Sequence, residues 1–118
     1  MGAILTDVKK HIGGISEDNT DFDSDILMFV NGAFTKITRA GGGDESGFNV
    51  TESTAWEDFT TDVKMINAVK GYVTADVKLS FDSSTLPSFV ITSLEKQRDE
   101  YLWTINNYAD YWQTSGGT

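Results

Sequence analysis

The carboxylates of Asp21, Asp23 and Asp25 alternate along the chain as they do at the start of a calcium-binding loop, which surrounds a hard cation with oxygen ligands. The pattern breaks twice. The sharp turn at the sixth position needs glycine and the chain has Ile26, and the bidentate Glu at the twelfth position is replaced by Gly32. Three acids in front of an apolar-periodic run instead predict a helix start, where carboxylates satisfy orphaned N–H groups and favour the dipole. Gly42 and Gly47 have the separation of a phosphate-binding loop, but Phe48 stands where a lysine should meet phosphate. Asp44 and Glu45 would repel the ligand, and a helical pattern precedes where a strand is required. A single histidine, His11, with no cysteine and no G-x-S-x-G elbow removes the commonest nucleophile–base pairs, disulfides and thiolate or His-rich metal sites. No carboxylate pair stands out. The expectation is a protein that is not an enzyme, with no catalytic residue, no cofactor and no metal.

Chemistry of contact is better represented than chemistry of reaction. Residues 40–53 predict a loop of a length that is usually functional when it lacks structure of its own, and Phe48 and Val50 lie within it. Two apolar residues there either dock on a partner or fold back on their own core. Trp103 and Tyr111 project roughly 180° and 90° from the centre of the apolar stripe of the last helix, which marks them as interface candidates. Trp112 closes that stripe, in a C-terminal stretch read as partner-docking. Arg98 falls inside the stripe, so either its stem packs on the core with the guanidinium reaching an acid, or it forms a buried ion pair at a subunit contact. Two further motifs are chance matches. Met1, Gly2 and Thr6 have myristoylation spacing without the basic patch that stable anchoring needs, and Asn49-Val50-Thr51 is a sequon only in a secreted chain.

Four helical segments must carry these residues, so the expected class is all-α: a small bundle of about four helices, a long loop between helices 2 and 3, and an extended C-terminal segment. The first covers residues 6–12, with Thr6 as cap, Val8 and Ile12 on one face, and a stop at Gly13-Gly14. The second, capped by Asp23 or Ser24 and ending near Arg39, aligns Ile26, Leu27, Val30, Ala33, Phe34 and Ile37. Thr54 and Glu57 form a capping-box pattern before a short helix around Trp56 and Phe59. The third, residues 62–79, spreads Met65, Ile66, Val69, Tyr72, Val73, Val77 and Leu79 over half the wheel, an arc that suits a central helix with two neighbours. Gly71 on its polar side is either a close backbone approach or a tolerated surface glycine. The fourth starts at or just after Pro87 and turns Val90, Leu94, Tyr101, Leu102, Ile105, Tyr108, Ala109 and Trp112 inward.

The 118 residues carry 18 Asp and Glu against 9 Lys and Arg, a formal charge of -9. A chain this size encloses one core, so residues 1–118 are expected to form a single domain with 107–118 as a mobile or partner-docking tail. Seven Phe, four Tyr and three Trp exclude a disordered chain, and no apolar run approaches the ~18 residues of a membrane span. The start of the chain lacks the pattern of a secretory signal. The acid surplus opposes a polyanion-binding face.

In order and spacing, the chain resembles the head-tail connector proteins of tailed bacteriophages, also called adaptor or head-completion proteins. Leu5-Thr6-Asp7-Val8-Lys9 with Ile12-Gly13, then Phe22-Asp23-Ser24-Asp25-Ile26 and Asn31, are similar to that family's first two helices. Trp56-Glu57-Asp58-Phe59, Val69-Lys70-Gly71-Tyr72-Val73, Val77-Lys78-Leu79-Ser80-Phe81-Asp82 and Glu100-Tyr101-Leu102-Trp103-Thr104-Ile105-Asn106 continue the likeness over nearly the whole chain. Ser83-Ser84-Thr85 departs from it, since relatives often carry prolines there. The resemblance implies a virion protein of the neck, assembled in the host cytoplasm. It further implies a homo-oligomeric ring, commonly a dodecamer, that docks under the portal protein, extends the DNA channel and presents a surface to the next neck, stopper or tail protein. Double-stranded DNA would pass through without specific binding, and no membrane is involved. Acids rimming such a channel would keep DNA from adhering. The alternative is a small acidic binding module that mimics DNA charge, which requires its acids on one contiguous face.

Overall fold

The computed structural model describes residues 3–12, 18–40, 47–82 and 86–107. Within them the architecture is all-α: α1 (Ile4–His11), α2 (Asp23–Arg39), α3 (Val63–Asp82) and α4 (Ser88–Asn107), with a single 3-10 turn at Trp56–Asp58 before α3. The central position belongs to α3, which packs against α1, α2, α4 and the Trp56 turn. Its seven expected core residues, Met65 through Leu79, are all buried, and the stripe of α2 is buried at every expected position except Leu27, which is half-buried. Each large apolar side chain enclosed in this way contributes roughly 1.5–3 kcal/mol. The described residues contain no strand; an isolated antiparallel bridge joins Ala3 to Ala55.

That bridge changes how the first helix starts. Ile4 N–H donates to the Thr54 carbonyl at 2.9 Å, so a backbone group from the long connection does the work assigned to a Thr6 cap. The helix therefore begins two residues earlier and Thr6 is an exposed residue inside it. At α2 the expected Asp23 cap is also replaced, because its carboxylate turns to the Lys9 ammonium at 2.8 Å. Only the carboxylate half of a capping box forms, one residue along: Asp58 Oδ2 accepts from Ala55 N–H at 2.8 Å, while Thr54 Oγ1 accepts from Thr51 N–H. Helix α3 has a side-chain cap in Asp62, whose Oδ1 accepts from Met65 N–H at 3.1 Å. Pro87 precedes α4 and its carbonyl accepts from Val90 and Ile91, as a proline at a helix start allows.

The connection between α2 and α3 spans residues 40–62, longer than the expected 40–53, because the Trp56 turn adds only three helical residues. Its described part is tied down. Asn31 of α2 accepts from Val50 N–H at 2.7 Å through Oδ1 and donates through Nδ2 to the Val50 and Leu27 carbonyls. One amide side chain thus replaces the ladder partners the extended segment lacks.

Candidate functional site

Phe48 and Val50 both turn inward. Val50 is buried, and the Phe48 ring lies 5.0 Å from Phe34 and from Phe59, in a cluster that also takes in Trp56. Offset and edge-on ring pairs of this kind add about 0.5–1.5 kcal/mol each beyond area burial. Of the two fates open to these residues, they take the fold-back one: Val50 is buried and Phe48 half-buried, between the exposed Gly47, Asn49 and Thr51.

The opposite side of the molecule differs. Helix α4 has α3 as its principal partner, and of its residues Ile105 alone is fully buried. Val90, Leu94 and Leu102 face α3 but are half-buried, and Tyr101, expected inside, is 37% exposed. Over its described part the stripe is covered only to half depth, since one neighbouring helix cannot cover an arc of about 120°. Trp103 projects from the far side and is 67% exposed, with Phe89 at the start of the helix bare as well. Tyr111, Trp112 and the rest of the 108–118 stretch lie outside the described residues.

Arg98 reaches an acid within its own chain. Its Nη1 donates to Asp76 Oδ1 at 3.2 Å, and the same carboxylate accepts from Lys36 Nζ at 3.1 and 3.2 Å. Asp76 is buried while both cations keep contact with water, so removing the carboxylate would strand two charges that can still be solvated. Its field reaches Tyr72, whose hydroxyl is pushed up to about 12, by burial first and by the Asp76 charge second.

Two further polar locks hold the bundle's other end. Trp56 Nε1 donates to Asp7 Oδ2 at 2.7 Å, and Lys70 of α3 lies 3.3 Å from the same oxygen. Burial works to raise the Asp7 pKa, but the Trp56 hydrogen bond and the Lys70 charge outweigh it and hold the carboxyl below its usual range. Lys9, 4% exposed, donates to Asp23 and to the Asn19 carbonyl, which fastens α1 to the start of α2. Asp76, Lys9 and the Asp7–Trp56 pair carried no signal in the sequence beyond a charged residue on an otherwise apolar face.

Where α3 and α4 diverge beside the end of α1, they leave a groove of about 480 Å³. Gly71 sits at its base because the Tyr101 ring lies directly over the Gly71 backbone, where any Cβ would collide with it. The close approach, rather than the tolerated surface glycine, is what the structure contains. No cluster of three or more His, Asp and Glu among the described residues could hold a metal, and no helix there is long and apolar enough to cross a membrane.

A family model described as phage connector protein matches residues 4–112. No curated protein and no solved structure matches the chain.

Proposed function

The chain belongs to the phage connector protein family, and from that membership we propose that it is a virion subunit of the head-tail interface, forming a ring beneath the portal. The observation that carries this reading is a family match that runs through all four helices rather than one motif. In the proposed role the ring completes the DNA-filled head, extends the DNA channel and offers an attachment surface to the next neck or tail component. The work is structural, not catalytic.

What such a subunit needs is a rigid body with surface left over for neighbours. The α1–α2–α3 core supplies the first, and the half-covered α4 with its bare Trp103 supports the second. The charge-mimic alternative needs most of the acids gathered outward on one contiguous face, whereas Asp7, Asp23 and Asp76 are paired with cations of their own chain. Portal docking is assigned to the C-terminal tail, residues 107–118. Deleting residues 107–118 should abolish binding to the cognate portal while far-UV circular dichroism keeps most of its helical signal; undiminished docking by the truncated chain would overturn the assignment.

A further inference from the structure

The two sides of α4 carry opposite charge. On the groove side, Lys70 and Lys78 of α3 rim a floor that includes Ala75, Leu94 and Tyr101. On the outer side, Glu95, Asp99 and Glu100 surround Trp103, with Lys96 the cation on that surface. Among the described residues neither Lys78 nor any of those three acids forms an ion pair, so their charges are available to a partner. In a chain with twice as many acids as bases, an open cationic groove is the less expected of the two surfaces.

We propose that the groove of one copy receives Trp103 and the acidic outer face of α4 from a second copy, head to tail, an assignment that rests on the ring reading above. The positions explain why the contact is not two-fold. Leu94 and Tyr101 lie about half a turn around α4 from Asp99 and Trp103, so donor and acceptor surfaces face opposite ways. An isologous pair would have to present both at once to a single partner, whereas a heterologous contact uses one on each side of every subunit and closes into a ring when the rotation permits. Trp103 is the anchor: an exposed indole that enters the groove meets the Tyr101 ring and the Lys78 ammonium, the combination of aromatic contact and cation that marks binding hot spots. The flanking acids then sit against the lysine rim and set the register.

A charge exchange between chains tests this. The groove variant combines Lys78→Glu with Gln97→Glu, which leaves Lys70 in place because it holds Asp7. The outer-face variant combines Glu95→Lys with Asp99→Lys. Mass by light scattering, for each protein alone and on the cognate portal, should show wild type assembling, each variant alone remaining monomeric, and an equimolar mixture of the two assembling again in alternation. Trp103→Ala should weaken wild-type self-association by at least about thirtyfold. If either charge variant assembles alone as wild type does, or if helical, folded variants fail to assemble when mixed, the pairing is wrong and the ring reading stands. Variants that still assemble but lose the portal would make the groove a portal contact and overturn the inference. If wild type stays monomeric both alone and on the portal, the ring reading itself has failed and takes the pairing with it.

Discussion

Helices α2 and α4 flank α3 and are similar in length, 17 and 20 residues, yet α3 holds them by unlike means. Five residues of α2 are fully enclosed, its Phe34 ring among three other aromatics. Helix α4 encloses Ile105, lays Tyr101 over a glycine and shares one carboxylate through Arg98. The difference separates two tasks. Apolar burial on the α2 side supplies stability that no partner needs to complete, while the α4 side is held firmly enough to keep its position and loosely enough to leave side chains for contact.

The largest effect should come from truncating the better-packed side. Phe34→Ala is expected to cost about 3–5 kcal/mol, against about 1 kcal/mol for the half-buried Leu102→Ala, in urea melts of the isolated chain. Equal losses would abolish the contrast. A smaller effect sharpens it at the α3–α4 contact. An alanine at Gly71 gains about 1 kcal/mol of helix propensity, but only when the Tyr101 ring is absent. Gly71→Ala should therefore stabilise the Tyr101→Ala protein and not the wild type, a coupling of about 1 kcal/mol in a double-mutant cycle.

The smallest effect is a matter of pH and belongs to the α1 end. The Asp7 carboxyl is held below its ordinary 3.8 in the folded chain, so its contribution is present above that value and fades as the pH falls through the folded value. Wild type should be more stable than Asp7→Asn at neutral pH, with the gap closing on acidification; a gap that persisted below the folded value would detach Asp7 from the acid response.

Periodicity made the two long apolar faces legible, because burial at about 3.6-residue spacing leaves a direct trace in residue order. It located the α4 stripe too, but not that the stripe is half-covered, since the number of neighbouring helices is a tertiary fact. Helix starts were the weakest part for the same reason. Thr6, Asp23 and Thr54 are good caps by type, yet the first two lost that role to distant groups, the Thr54 carbonyl and the Lys9 ammonium, and the third to the nearby Thr51 N–H. Among the surface candidates, Trp103 was visible from its angle alone. Phe48 and Val50 had two open fates because nothing in the sequence announces that Asn31 will hold the segment against α2.

Asp76 has a mechanical consequence. A single oxygen of α3, Asp76 Oδ1, accepts from Lys36 on α2 and from Arg98 on α4, so side chains of the two outer helices meet at one atom. If Arg98 is drawn away, Lys36 is left as the charged partner of the buried carboxylate, so the α2 half of the joint persists without the α4 half. One buried oxygen thus ties three helices, and it can lose its link to α4 without losing its link to α2.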